Sequence, residues 1–488
     1  MGVGDTMGDV RARIAESLDE LRALDSEIAA WYARWDASYA VSRHRTQLDL
    51  LAGLTRGLID IVIGETGKID LTRDAGTVYE ECRQADERLH YVRKLWRYYA
   101  DKFDQRAGPD NDPVTRTLRA ADEVIWSCWK TALKNLGVLP EFRMPAPLAY
   151  LSPQFAASTT HRDQYPADLR PSLHRAFDNH VRQLSIPMIA LPPVCQRRPW
   201  WLVIAAHEVG HHVQWGLPGA GERADKAITA TVGDSLAARW LGWREELFAD
   251  ACAVLLTGPA VIWAITELET RPAPALGTRR YPPTLVRLAM ARAVAAKAGL
   301  PDSAFRAWEG PARTASLSNC DQKEGGDIAE LLGGVPAVAD ALLGITSDNG
   351  TPVVKLASAT ARAYDEDVIR YWAEALLGRN PPVPEESLSA ARFCVAGSVA
   401  AWQAVASQDG TDQELADQTA FLAGQLRGVL PDCAEPGTRG GRAGPSAEDR
   451  ATALARRFAA DLYAIDLGAH DQSDRLTVDE LAGCAGQP

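Results

Sequence analysis

Residues 200–215 read WWLVIAAHEVGHHVQW. The run His207-Glu208-Val209-Gly210-His211 within them decides how the rest of the chain is read. Positions i and i+4 of a helix share a face, so His207 and His211 can offer two imidazole nitrogens to one cation. Glu208 lies between them, where a carboxylate can take a proton from water as a general base. A helix is expected here. Pro199 suits a first helical position, where its missing N–H costs nothing. Trp200, Trp201, Val203, Ile204, Ala205 and Ala206 would bury it, and Gly216 and Pro218 would end it. The bland alternative is a short HExxH pattern on a solvated face. The apolar setting speaks against that, because two histidines and a glutamate buried without a partner carry a desolvation cost.

A third ligand is expected in residues 234–259, DSLAARWLGWREELFADACAVLLTGP. Asp234 or Ser235 can cap the start of a helix here, and Gly258-Pro259 end it. Glu246 and Asp250 stand four apart and share a face. Glu246 is the candidate carboxylate ligand. Asp250 is placed to accept the free ring N–H of a ligand histidine, His207 first, which would fix its tautomer. Glu245 is the rival ligand; the spacing to Asp250 favours Glu246. The apolar neighbours Leu247, Phe248, Ala251, Val254, Leu255 and Leu256 predict a buried helix, and buried carboxylates need partners. Two histidines and one carboxylate, with a fourth position left for water, suit Zn2+.

HEVGH followed by a Glu-x-x-x-Asp helix resembles the gluzincin zinc metallopeptidases. The Glu-x-x-Ala-Asp form, with the downstream Tyr281-Pro282-Pro283-Thr284-Leu285-Val286-Arg287-Leu288, is similar to the CAAX-type and heat-shock zinc endopeptidases. In that family the downstream motif usually begins His-Pro and ends in Arg; here Tyr281 stands in place of the His, and Arg287 matches. The resemblance spans about Ile186–Leu288. It implies a zincin-like core, peptide-bond hydrolysis with Glu208 as general base, and stabilisation of the oxyanion by Tyr281 and Arg287. It also implies that a strand before the HExxH helix forms the edge on which extended peptide docks. Ile186–Leu191 is the expected strand, with Pro187 restricting it to an edge or a strand start.

The chain has 488 residues, a net charge of −12 and a pI near 5.4. That charge disfavours nucleic acid, whose phosphates call for a basic surface. The hydrophobic fraction is 46% and mean hydropathy is −0.18, which predicts a globular chain with a sizeable core. No apolar run reaches membrane-spanning length and the first residues lack a signal-peptide core, so a cytoplasmic location is expected. The eight cysteines are scattered without a CxxC pair and read as reduced packing residues.

Apolar residues at spacings of three and four predict helices over about 7–40, 45–65, 74–103 and 112–136. Together they predict an N-terminal helical bundle over 1–136. The cluster Lys94, Arg97, Lys102 and Arg106 reads as a solvated face. Prolines break 137–193, where LAYLS is a second short strand, and His161, His174 and His180 read as structural. His212 points off the His207/His211 face and reads as structural too. Further helices are expected at 327–344, 358–377, 387–407, 412–429 and 446–467. The Gly-rich run at 438–449 reads as a linker, and the acidic 471–480 lacks the glycine of a calcium loop.

The expected fold class is mainly α with a small β-sheet. A zincin-like domain over 137–300 would be flanked by helical regions at 1–136 and 301–488. The expected substrate is a protein or peptide, and the helical flanks leave room for a regulatory protein partner. Two alternatives keep the same residues: a helical interaction protein with a non-catalytic metal site, and a metal-dependent amidohydrolase on a non-peptide substrate.

Overall fold

The computed structural model describes residues 3–35, 39–137, 145–154, 156–160, 169, 186–232, 234–269, 278–300, 322–357, 365–379, 391–433 and 447–464. His161, His174, His180, residues 471–480 and most of the 438–449 run lie outside them. The protein is mainly helical with one three-stranded sheet. The chain divides into two compact units, 1–103 with 162–185 and 442–488, and 104–161 with 186–441. This differs from the expected three-way division.

The first unit contains α1 (Val3–Trp35), α2 (Tyr39–Thr66), α3 (Ala75–Asp104) and, from the other end of the chain, Ala447–Ala464, numbered α15 by its place in the chain. Leu21, Leu24, Ile28 and Trp31 of α1 are buried, as their heptad-like spacing predicts. Trp31 meets Trp96 edge to face at 6.0 Å. α2 starts at Tyr39, ahead of the expected start near residue 45, and is kinked at His44 (φ −114°, ψ 15°). Gly53 and Gly57 lie against Ala451 and Ala455, where added Cβ atoms would come within 2.7 and 2.8 Å of the alanine Cβ atoms. Small residues on both helices let α2 and α15 cross closely.

The second unit opens with α4 (Pro113–Asn135), capped by Asp112, whose carboxylate accepts from Thr115 N at 2.8 Å. This helix was expected in the N-terminal bundle. Its apolar residues from Leu118 to Leu133 are instead buried in the core that carries the HExxH helix, so the bundle ends earlier than residue 136. Arg106, expected on a solvated face, is buried. Its Nε and Nη2 donate to the Asp122 carboxylate at 2.8 and 2.7 Å, and Nη2 also reaches Ala149 O at 2.7 Å.

The sheet contains β1 (Leu148–Leu151), β2 (Ser158–Thr160) and β3 (Met188–Leu191) in the order β1-β3-β2. The expected edge strand is therefore the central one. β1 pairs with it in parallel and β2 antiparallel. Pro187 precedes β3, so its lack of an N–H costs the ladder nothing, and its carbonyl accepts from Leu148 N at 2.8 Å.

After β3 come α5 (Val194–Arg197), a 3-10 helix (Pro199–Ile204), α6 (Ala205–Gly216), α7 (Ala220–Thr231) and α8 (Asp234–Thr257). All six residues of the 3-10 segment are buried, so its sequence carries no amphipathic period to separate 3-10 from α. The unit continues with α9 (Ala260–Glu269), α10 (Thr284–Lys297), α11 (Gln322–Leu343), α12 (Glu366–Leu376), α13 (Ala391–Ala406) and α14 (Asp412–Val429). α5, α7, α9, α10 and β2 are additions to the sequence reading. Trp200 of the 3-10 helix stacks on Trp402 of α13 at 6.1 Å, and Trp201 meets Trp263 of α9 at 4.8 Å. Cys82, Cys128, Cys195, Cys252, Cys394 and Cys433 are buried and form no disulfide among the described residues. Among the described residues no helix is long and apolar enough to cross a membrane.

Candidate metal centre

α6 and α8 cross at Gly210. A Cβ added there would lie 2.7 Å from both Cα and O of Ala249. Only a glycine lets the two backbones approach this far. The crossing sets His207 and His211 one turn apart, opposite Glu246 and Asp250, which are likewise one turn apart.

The nitrogen His207 Nε2 lies 3.2 Å from His211 Nε2 and 3.3 Å from Glu246 Oε2, and His211 Nε2 lies 3.8 Å from the same oxygen. All three side chains are buried. Three acceptor atoms converging in a buried place repel one another unless a proton or a cation lies between them. Tetrahedral zinc bound at about 2.0–2.1 Å separates its ligand atoms by about 3.3 Å, which these spacings approach. The donor set, two imidazole nitrogens and one carboxylate oxygen, fits that ion. Glu245, the rival ligand, is half exposed and accepts from Arg244 at 3.1 Å.

Asp250 is fully buried and serves two partners. His207 Nδ1 donates to Asp250 Oδ1 at 2.7 Å, which turns Nε2 toward Glu246, free to offer its lone pair to a cation when the ring is neutral. Arg287 of α10 grips the same carboxylate with Nε to Oδ2 and Nη2 to Oδ1, both at 2.7 Å. Arg287 was expected at an oxyanion; the structure instead commits its fork to Asp250.

The charges follow from this arrangement. Burial disfavours protonating His207, but Asp250's charge and hydrogen bond, aided by Glu246, outweigh it and hold the ring up at about 10. Burial and the His207 charge push His211 down to about 3. Burial raises Glu208 to about 7. Glu246 resists its own burial through His207 and falls to about 2, and Asp250, against its burial, is held well below the carboxylate range by Arg287 and His207. Without a cation, this arrangement favours the protonated form of His207 and the neutral form of His211.

The surroundings fix the rings. Trp215 stacks on His211 with centroids 5.6 Å apart and planes at 24°. His212 turns the other way, to Thr159 Oγ1 and to Met188 O at 3.4 Å, and so ties α6 to the sheet. Trp243 of α8 donates from Nε1 to Thr278 O at 2.8 Å, and Thr278 Oγ1 accepts from Tyr281 N at 2.9 Å. Gly242 makes room for that turn, since a Cβ there would come within 2.6 Å of Arg279 O. The turn presents Tyr281, which is 41% exposed where the four cluster residues are buried. Partial burial, then the charges of Glu246 and Glu208, raise its phenol above the ordinary value, so it stays a hydrogen-bond donor.

The sequence reading thus brings together His207, Glu208, His211, Glu246, Asp250 and Arg287. It missed Gly210, Gly242, Trp215 and Trp243, whose signal is positional: a glycine at a helix crossing and an indole three residues before the ligand. Comparison with known protein families, with curated proteins and with solved structures returns no match to this chain.

Proposed function

We propose that this protein is a zinc-dependent endopeptidase of gluzincin type, with a zincin-like core in the second unit. The observation that carries the reading is the convergence of His207 Nε2, His211 Nε2 and Glu246 Oε2, with Glu208 beside them on α6. A metal held only for structure gains nothing from a second carboxylate placed as a base, and catalytic zinc sites take three protein ligands.

Zinc in this place would polarise a peptide carbonyl and lower the pKa of water toward about 7. Glu208 takes the proton of the attacking water and returns it to the leaving amine. Its burial holds the carboxylate in a setting where proton uptake is favoured. Tyr281 donates its phenolic hydrogen to the oxyanion as the carbonyl carbon becomes tetrahedral. Asp250 and Arg287 hold the His207 ring in register. The substrate would be an extended peptide, and β2, an outer strand of the sheet, offers main-chain groups for pairing in the place first expected of β3.

The test is a peptide-library digest read by mass spectrometry, with wild type beside Glu208→Gln. Wild type cleaves, and the variant loses about 10²–10⁴-fold in rate. Equal cleavage by both would remove Glu208 from the mechanism. Zinc-loaded wild type that cleaves no peptide but hydrolyses small amides would move the reading to a non-peptide substrate.

A further inference from the structure

The two ligand histidines are not supported alike. His207 Nδ1 has Asp250 as its acceptor. His211 Nδ1 is buried and has no hydrogen-bond partner. A histidine that offers Nε2 to a metal carries its proton on Nδ1, and that N–H is normally held by an acceptor. Leaving it unpaired in a buried place carries a desolvation penalty.

One turn further along α6 stands Gln214. It is 3% exposed, and both Oε1 and Nε2 are buried without a partner. It lies at i+3 from His211 and i+7 from His207, on the face that carries the ligands. Side chains of a helix lean toward its N-terminus, so Gln214 covers the turn that contains His211. An orphaned ring nitrogen and an orphaned amide thus stand about one turn apart on one face of the same helix. Trp215, stacked on the His211 ring, closes that ring from a neighbouring position.

We propose that Gln214 is the positioning residue of the second ligand: its Oε1 accepts the His211 Nδ1–H, directly or through one buried water. The amide then does for His211 what Asp250 does for His207. The two supports differ in kind. A carboxylate locked by Arg287 stabilises charge on His207, whereas a neutral amide fixes the tautomer of His211 without adding charge to the cluster. This assignment rests on the zinc reading above.

The test measures zinc affinity of the full-length protein by competition with a chromophoric chelator, and the melting of the metal-free protein beside it. Gln214→Leu and Gln214→Met remove the acceptor and keep the bulk; each weakens zinc binding about 10–100-fold. Gln214→Glu restores an acceptor and binds zinc near the wild-type level. Metal-free Gln214→Leu melts below wild type, because the buried His211 Nδ1–H loses its acceptor there as well. A merely structural glutamine would lower metal-free stability too, but would leave zinc affinity in the folded fraction unchanged. Wild-type affinity in whichever apolar variant is folded overturns the assignment while the zinc reading stands. A wild type that takes up no zinc overturns both.

Discussion

Arg287 holds Asp250 by two parallel hydrogen bonds of 2.7 Å, and the oxygen that accepts from its Nη2 also accepts from His207 Nδ1. A guanidinium on α10 thereby sets the ring of a candidate metal ligand on α6, through a carboxylate on α8. Arg287→Gln removes the fork and leaves Asp250 buried with one partner fewer. Zinc affinity is expected to fall about 10–100-fold, as for other outer partners of metal ligands. Arg287→Lys keeps the charge but not the bidentate geometry, and it should recover only part of the loss. Chelator competition measures both; unchanged affinity in Arg287→Gln would detach Arg287 from the metal centre.

Gly210→Ala tests the helix crossing. The new methyl meets the Ala249 backbone at 2.7 Å, and backbone cannot swing aside as a side chain can. The expected cost is about 1–3 kcal/mol in denaturant unfolding, with weaker zinc binding beside it. Gly424→Ala is the control: it lies exposed in α14 with nothing within 4 Å of the added Cβ. There the change should stabilise by about 0.5–1 kcal/mol.

Asp122→Ala strands Arg106, whose side chain is fully buried. Removing one partner of a buried ion pair destabilises by about 3–5 kcal/mol. The same arginine donates to the β1 backbone at Ala149, so the loss should reach the sheet. Hydrogen exchange of the β1 and β3 amides would show it as faster exchange; protection equal to wild type would contradict the coupling.

Zinc itself should stabilise the second unit, because the three ligands are assembled only in the folded chain. At a free concentration of 100 times Kd the gain is about 2.7 kcal/mol. Calorimetry with and without a chelator reads the shift, and His211→Ala should abolish it. A chelator that leaves melting unchanged would speak against a site built from these residues.

Much of this was legible in the sequence where one residue type at one spacing has one physical reading. His207, His211, Glu246 and Asp250 follow from helical periodicity, and the long helices follow from apolar residues three and four apart. The failures have equally specific causes. β3 was expected at an edge because the resemblance implies one there; Pro187 allowed an edge or a strand start, and it stands just before the strand. Arg106 looked solvated because it is charged, and its partner sixteen residues on is invisible to local patterning. α4 looked like one more helix of the N-terminal bundle, since amphipathic spacing says that a helix is buried and not against what. The orphaned nitrogen of His211 has no sequence signal at all: it follows from three-dimensional packing.

The most direct test of the central claim, that His207, His211 and Glu246 form one metal centre, is the zinc content of purified protein in single variants. Wild type, Glu208→Gln and Glu245→Ala should each hold about one zinc per chain, since three ligands suffice and neither glutamate is among them. His207→Ala, His211→Ala and Glu246→Ala should each lose most of it while remaining folded. Zinc retained by Glu246→Ala and lost by Glu245→Ala, or a wild type that holds none after reconstitution, would contradict the account.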